Sequence, residues 1–177
     1  MIGQAREGGM VYWITGLSGA GKSTLAALLR DRLAGAGRSV ILLDGDALRE
    51  ILGKTSNFQR EERLELAMIY ARLCREISRQ GIDVVCATIS MFHQVQDWNR
   101  QNIEGYKEIF LRVPYEVLAS RDTKGIYPEP GMNETLHVMG RHIEPEFPIA
   151  PDLILDNVPP LTPEMAVERI WRETAIS

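Results

Sequence analysis

The sequence predicts a three-layer α/β fold, in which helices flank a parallel sheet of about five strands. Five short apolar stretches alternate along the chain with segments whose apolar residues recur at helical spacing. The apolar stretches show no polar–apolar alternation, which indicates strands that are covered on both faces. A length of 177 residues and a hydrophobic share of 45% fit a single domain, 1–177, with a substantial core.

The first strand and the first helix flank a glycine-rich segment. Residues 10–15 (MVYWIT) form a short apolar stretch that ends at a glycine, which predicts a buried strand. Residues 22–37 carry leucines at helical spacing, and closely spaced glycines end this helix. Residues 39–46 (SVILLDGD) predict a second buried strand with an acidic end.

The middle of the chain repeats this alternation. Residues 60–81 predict a long helix that ends at Gly81, and residues 82–90 (IDVVCATIS) predict the third strand. His93 opens the helix that follows. The apolar stripe of the long helix consists of Leu64, Ala67, Met68, Ala71, Cys74 and Ile77.

The last third of the chain contributes two strands and two helices. Residues 106–113 predict the fourth strand, and a proline then opens a helix at 114–121. Residues 152–157 predict the fifth strand. The final helix spans 162–175, with Thr162 as its N-cap and a proline at its first position.

Charge and cysteine content exclude several classes of protein. A net charge of -4 gives no basic field for nucleic acid or an anionic membrane. No apolar stretch approaches the roughly 18 to 20 residues of a membrane span, and the N-terminus is not a signal peptide. Cys74 and Cys86 fit two buried, reduced thiols. These features predict a cytoplasmic protein.

Residues 123–151 break the regular alternation. This stretch contains five prolines and three glycines, together with His137 and His142. A loop of this length in a compact domain is usually a functional lid or a disordered segment. The two histidines lack an evident third metal ligand, so we expect them to face solvent or substrate.

The segment GLSGAGKST matches the phosphate-loop pattern GxxxxGK[ST] in full. Its position between a predicted strand and a predicted helix is the one that the motif requires. Backbone N–H groups and the helix N-terminus surround a phosphate, Lys22 reaches the β- and γ-phosphates, and Ser23 binds Mg²⁺. The predicted ATP-binding residues of the loop are Gly16, Leu17, Ser18, Gly19, Ala20, Gly21, Lys22, Ser23 and Thr24.

Two aspartates, Asp44 and Asp46, end the second predicted strand near the phosphate loop. An aspartate here holds Mg²⁺ through water or accepts a proton from an attacking hydroxyl, although either carboxylate also suits a helix cap. The sequence lacks the DxxG and [NT]KxD motifs of guanine-nucleotide switches, since residues 123–126 (TKGI) lack the final aspartate. A small-molecule kinase is therefore favoured over a hydrolysing switch or an inactive ATP-binding module.

The motifs GLSGAGKST, LDGDALRE, RDTKGIY and PDLILDN, in this order and spacing, resemble the adenylylsulfate (APS) kinase family from about Met10 to Asn157. The resemblance implies a P-loop kinase, usually a homodimer, in which Mg-ATP phosphorylates the 3′-hydroxyl of APS. It also implies roles for individual residues. Asp46 is then the general base, with Asp44 as a support or metal–water ligand, and Lys124 approaches the transferred phosphate.

Further roles follow from the same resemblance. Arg121 lies near the adenine of ATP, and it anchors the base of the lid together with Asp122. The implied acceptor-binding residues are Arg49 and Arg63 at the anionic end, Phe58 on the base, and Ile89 and Ser90 after the third strand.

The sequence departs from the family pattern on the acceptor side. The family motif R-x-E-N-I-R is represented by residues 63–68, with Leu66 and Met68 in place of asparagine and arginine. The lid motif becomes VMGRHIEPEFP at 138–148. Because unpaired buried polar groups are costly, such changes select a different acceptor.

Residues 91–103 (MFHQVQDWNRQNI) resemble a subgroup of APS-kinase-like proteins in surface-polysaccharide pathways. One activity of that subgroup is the phosphorylation of cytidine diphosphoramidate. APS and cytidine diphosphoramidate therefore both stay open as acceptors. His93 and Arg141 are further candidates for acceptor contact, with a polar helix start and a surface arginine as the respective alternatives.

Overall fold

The computed structural model describes residues 8–53, 59–122, 139–140 and 143–174. Its strands are β1 (Val11–Thr15), β2 (Val40–Asp44), β3 (Asp83–Ala87), β4 (Tyr106–Arg112) and β5 (Leu153–Asp156). Its helices are α1 (Lys22–Gly35), α2 (Gly45–Ile51), α3 (Arg60–Ser78), α4 (His93–Asn102), α5 (Tyr115–Ser120) and α6 (Pro163–Thr174).

The five strands form one parallel sheet, as the sequence predicts, and their order in the sheet is β2-β3-β1-β4-β5. Trp13 of the central strand is paired with Cys86 on one side and with Glu108 on the other. Because all strands are parallel, their carboxyl ends meet at one edge of the sheet. Strands β2 and β3 lie on one side of β1, and β4 and β5 lie on the other side. In parallel sheets, such a reversal of strand order places a crevice at the carboxyl ends of the strands, here beside the loop that follows β1.

Helices cover both faces of the sheet and bury a core on each. Alternate residues of β1 face opposite cores: Tyr12 and Ile14 pack with α1, α5 and α6, whereas Val11 and Trp13 pack with α2, α3 and α4. All four side chains are almost completely buried. Burial of apolar surface on both faces explains why the strands lack polar alternation.

Several predicted boundaries are too long. The second strand ends at Asp44, because residues 45 and 46 already belong to helix α2. Asp44 caps this helix: its Oδ1 atom accepts a hydrogen bond from the Asp46 N–H at 2.9 Å. The third strand ends at Ala87, and the chain turns sharply at Ser90, whose φ is +21°. Both differences place polar groups at the strand ends instead of inside the sheet.

Helix α3 carries Arg63, one of the predicted acceptor-binding residues. It begins with a reciprocal capping box, in which Gln59 and Glu62 exchange hydrogen bonds between side chain and backbone. The predicted stripe is buried or half-buried, but Leu66 and Tyr70, outside that stripe, are buried as well. Spacings of three and four residues bring both of them onto the face that carries Arg63.

Two smaller predictions are confirmed. The Thr162 hydroxyl caps α6 by accepting a hydrogen bond from the Met165 N–H at 3.3 Å. Cys74 and Cys86 are both free and buried.

Candidate active site

The loop after β1 has the geometry of a phosphate cradle. Gly19 and Gly21 adopt left-handed backbone angles, with φ of +77° and +92°, which side chains rarely tolerate. Gly21 is the N-cap of α1 and has no side chain to cap the helix, so the first N–H groups of α1 face the loop. Lys22 folds back and donates a 2.7 Å hydrogen bond to the Leu17 carbonyl. The loop thus combines N–H donors, a helix N-terminus and a cation, which together suit a phosphate.

Ser23 connects this loop to the end of β2. Its hydroxyl donates a 2.6 Å hydrogen bond to Asp44 Oδ2, while the other carboxylate oxygen of Asp44 caps α2. Both of the proposed roles of Asp44, helix cap and site residue, are therefore compatible. A hydroxyl and a carboxylate side by side are the hard oxygen ligands that Mg²⁺ uses beside nucleotide phosphates. The described residues contain no group of three or more acidic, histidine or cysteine side chains that could hold a metal ion by itself.

Asp46 and Arg49 form the next contact of the site. Asp46 lies in the first turn of α2, its carboxylate is exposed, and it forms an ion pair with Arg49. Arg49 also lines a pocket beside α2. Asp46 is therefore paired with a residue of the pocket wall.

The pocket lies between α2, α3 and the end of β3. It has free space of about 30 Å³, close to the room for one water molecule, and it opens toward solvent. Its wall combines two arginines with hydroxyl groups and apolar side chains. The lining residues are Arg49, Arg63, Leu66, Tyr70, Thr88, Ile89, Ser90, Phe92 and Met139.

Two pKa shifts describe this pocket. Burial lowers the pKa of Arg63, and the positive charge of Arg49 lowers it further. Burial raises the pKa of Tyr70, an effect that Arg49 opposes. An anion bound near both guanidinium groups would offset the unfavourable effect of Arg49 on the charge of Arg63. The tyrosine stays a neutral hydroxyl.

The segment after β3 is tied to the central strand. Thr15, at the end of β1, donates a 2.5 Å hydrogen bond to the Ile89 carbonyl. The Thr88 and Ser90 hydroxyls lie 2.6 Å apart and share a hydrogen bond. The predicted acceptor residues Ile89 and Ser90 thus lie where the sheet meets the pocket.

Asn157, whose sequence context predicts no role, supports the phosphate loop. Its side chain donates a 2.7 Å hydrogen bond to the Ala20 carbonyl, and its own carbonyl accepts one from Arg121 at 3.1 Å. A Cβ atom at Gly21 would lie 2.6 Å from the Asn157 amide nitrogen. The asparagine directly after a strand end was the available signal. Asn157 therefore joins the loop to Arg121, which the sequence assigns to the ATP side.

His93 does not line the arginine pocket. Its backbone N–H donates to Glu146 at 2.7 Å, and its ring Nε2 lies 3.0 Å from the Phe147 carbonyl. Arg60 forms an ion pair with the same glutamate. These contacts hold Glu146 and Phe147, at the end of the predicted lid, against α3 and α4. Acceptor contact by His93 stays a prediction.

Two residues of the predicted lid, Met139 and Gly140, lie next to the site. Met139 lines the arginine pocket, and the backbone of Gly140 lies against Leu17 of the phosphate loop. Lys124, Phe58 and Arg141, which the sequence assigns to the site, lie outside the described residues. No helix in the described part of the chain is long and apolar enough to cross a membrane.

Comparisons with known proteins agree with this geometry. The family model for adenylylsulphate kinase matches residues 8–156. A cytidine diphosphoramidate kinase from Campylobacter jejuni is 36% identical over 94% of this chain and 96% of its own length. An adenylyl-sulfate kinase from Paraburkholderia xenovorans is 40% identical over 84% of each chain. The Mycobacterium tuberculosis APS kinase, solved in complex with AMPPNP and APS, superimposes with a TM-score of 0.85 at 28% identity. That superposition covers 96% of this chain and 99% of the other.

Proposed function

The chain belongs to the adenylylsulphate kinase family, and we propose that its acceptor is a nucleotide with an anionic sulfate or phosphoramidate end group. The reaction class follows from the family: the chain is an ATP-dependent phosphotransferase that acts on a hydroxyl group. The identity of the acceptor and the roles of individual residues are proposals.

A continuous line of contacts joins the phosphate loop to the arginine pocket, and this observation carries the proposal. Ser23 contacts Asp44, which caps the helix that bears Asp46, and Asp46 pairs with Arg49 at the pocket wall. A nucleotide acceptor whose anionic end lies against Arg49 and Arg63 has its sugar near Asp46. Helix α2, which carries both Asp46 and Arg49, then sets the distance between the phosphates of ATP and the anionic end of the acceptor.

In the proposed reaction, Asp46 accepts the proton of the attacking sugar hydroxyl. The Arg49 contact orients the Asp46 carboxylate until the acceptor displaces the arginine. Lys22 leaves the Leu17 carbonyl to bind the β- and γ-phosphates, and Lys124 approaches from the lid. Arg121 lies on the adenine side. Lid closure excludes water, which limits hydrolysis.

For magnesium, the residues at the loop fit the ion. Ser23 and Asp44 supply a hydroxyl and a carboxylate oxygen, and the phosphates of ATP complete a hard-oxygen set. When bound, Mg²⁺ neutralises charge on the phosphates of the nucleotide.

Adenylylsulfate is the first candidate acceptor. Relatives named adenylyl-sulfate kinase and the likeness to a structure that holds APS support this choice. The two arginines provide the positive charge that a phosphosulfate end group needs.

Cytidine diphosphoramidate is the second candidate, and a specific observation favours it. Leu66, which stands where the APS kinase motif has asparagine, lines the arginine pocket and is 5% exposed. An apolar wall at this point removes a hydrogen-bonding partner that an APS pocket of the usual kind has. The Campylobacter jejuni cytidine diphosphoramidate kinase matches this chain over nearly the full length of both proteins, which supports cytidine diphosphoramidate as the acceptor.

Assembly and location are further parts of the proposal. We expect a homodimer, which sedimentation velocity tests directly. ATP use and two reduced cysteines suit a cytoplasmic enzyme.

The decisive experiment is an ADP-release assay with Mg-ATP and four acceptor conditions: APS, cytidine diphosphoramidate, nucleoside monophosphates, and water alone. We expect release that depends on one of the first two acceptors. Turnover of APS identifies an APS kinase in which Leu66 and Met68 are tolerated, whereas turnover of the cytidine compound alone identifies a changed pocket. Release without acceptor dependence indicates a hydrolytic switch, and nucleotide binding without release indicates an inactive module.

A further inference from the structure

We infer that the Tyr70 hydroxyl is a specificity-determining group that hydrogen-bonds the terminal sulfate or phosphoramidate group of the acceptor. The inference rests on the proposed function, because it assumes that the anionic end of a nucleotide enters the arginine pocket. It assigns a role to a residue that no motif singles out.

The proton of the buried Tyr70 hydroxyl has no acceptor among the described residues. Tyr70 is 2% exposed, and its hydroxyl donates to no residue in the described part of the chain. Arg49 lies close enough to affect the pKa of Tyr70, but a guanidinium only donates hydrogen bonds and cannot accept this proton. Buried polar groups are paired in nearly all native structures, so an unpaired one is expected at a place where a ligand completes it. Tyr70 lines the arginine pocket, so a ligand that enters this pocket lies next to the tyrosine side chain.

Helical spacing explains why this hydroxyl belongs to the acceptor site. Arg63, Leu66 and Tyr70 follow one another at intervals of three and four residues on α3, and all three line the pocket. Arg63 brings a positive charge, and Leu66 an apolar wall. The pocket that these residues line opens toward solvent, so an anionic end group can approach all three of them.

The hydroxyl supplies what the arginines lack. Guanidinium groups only donate hydrogen bonds, whereas a phenol donates and accepts. Because burial raises its pKa, Tyr70 keeps its proton at neutral pH. The other hydroxyls of the pocket, those of Thr88 and Ser90, already bond each other. Tyr70 is therefore suited to donate to a sulfate oxygen and to accept from the N–H of a phosphoramidate.

The test compares Tyr70→Phe with wild type in steady-state kinetics and in calorimetric binding of APS and cytidine diphosphoramidate with ADP and Mg²⁺ present. The substitution removes one hydroxyl and keeps the ring. We expect the KM and Kd of the accepted nucleotide to rise roughly 10- to 100-fold, as for a lost hydrogen bond to a charged group. We expect kcat and the KM for ATP to change less than about twofold, and the Tm without ligand to stay equal or rise, since an unpaired hydroxyl is removed.

Tyr106→Phe is the matched control. Tyr106 is also buried, but its hydroxyl donates to Glu108 at 3.3 Å and it does not line the pocket. This variant is expected to lose stability without a change in acceptor KM.

Two results overturn the inference alone: an unchanged acceptor KM and Kd in Tyr70→Phe, or an equal rise in both tyrosine variants. A third result, wild-type protein that binds and phosphorylates neither nucleotide, overturns the proposed acceptor and this inference together. It is recognised in wild type before any variant is made.

Discussion

The Ser23 hydroxyl donates a 2.6 Å hydrogen bond to Asp44 Oδ2, and this contact joins the phosphate loop to the end of a neighbouring strand. The same carboxylate caps α2 through its other oxygen. One side chain therefore couples the magnesium ligand of the proposed site to the helix that carries the proposed base.

The two functions of Asp44 are separable by substitution. Asparagine caps a helix about as well as aspartate, so Asp44→Asn should change the free energy of unfolding by less than about 0.5 kcal/mol. Removal of the negative charge should raise the Mg²⁺ concentration for half-maximal activity about 10-fold or more. Asp44→Ala should show the same metal effect and lose about 1 kcal/mol of stability as well. Magnesium titrations of ADP release and urea denaturation measure both effects, and unchanged magnesium dependence in Asp44→Asn contradicts the assignment.

Asp46→Asn should abolish transfer without abolishing ATP binding. An amide cannot accept the proton of the attacking hydroxyl, so we expect kcat to fall about 10²- to 10⁴-fold. The Kd for ATP should stay within about twofold, because asparagine has nearly the size of aspartate and the phosphate loop keeps its own N–H donors and Lys22. Glu50→Gln, an exposed change on the same helix, is the matched control and should behave as wild type. Transfer that survives in Asp46→Asn shows that another group is the base.

Arg63→Met should weaken binding of the acceptor and leave binding of ATP unchanged. Loss of one charge-assisted hydrogen bond predicts a rise in acceptor KM of roughly 10- to 100-fold. Arg72→Met, on the exposed side of α3, controls for the loss of positive charge from the helix. Equal effects of both substitutions on acceptor KM are the result that rejects a specific role for Arg63.

Asn157→Ala should loosen the phosphate loop. Its amide holds the Ala20 carbonyl at 2.7 Å, so we expect the KM for Mg-ATP to rise about 5- to 30-fold, with little change in acceptor KM. Asn102→Ala removes a similar bond, from an asparagine side chain to the Trp98 carbonyl at 2.8 Å, far along α4. That control should leave the KM for ATP unchanged. If both variants retain wild-type KM, the loop does not need this support.

Glu146 predicts a dependence of stability on acidic pH. Burial alone would raise its pKa, but hydrogen bonds from the His93 N–H and the Arg60 guanidinium outweigh burial and hold the pKa below its ordinary value. A lowered pKa means that the stabilisation is present above the ordinary value and disappears as pH falls through the folded-state value. Glu146→Gln should cost about 1 to 2 kcal/mol at pH 7, and the difference from wild type should shrink below about pH 4. Urea denaturation between pH 3 and 7 tests this, and a constant difference rules it out.

Much of the fold was readable from local pattern. The strands beginning near residues 10 and 82 were correct because runs of apolar residues without alternation leave few options other than a covered parallel strand. The predicted end of β2 at residue 46 was wrong. The strand ends two residues earlier, because Asp44 caps the next helix by accepting a hydrogen bond from the Asp46 N–H. A side-chain hydrogen bond of this kind competes with strand pairing in a way that hydrophobicity does not record.

By itself, the sequence determined the phosphate loop, the order of strands and helices along the chain, and the acidic pair beside the loop, because each depends on residues close together in sequence. Only the tertiary structure decided which distant groups share a site. Asn157 reaches the loop across 137 positions, and Met139 meets Arg63 at a pocket wall. The proton of the Tyr70 hydroxyl has no acceptor among the described residues, because helix packing buries it beside two arginines. Such relationships depend on how elements pack, and packing of distant segments leaves no short pattern in the sequence.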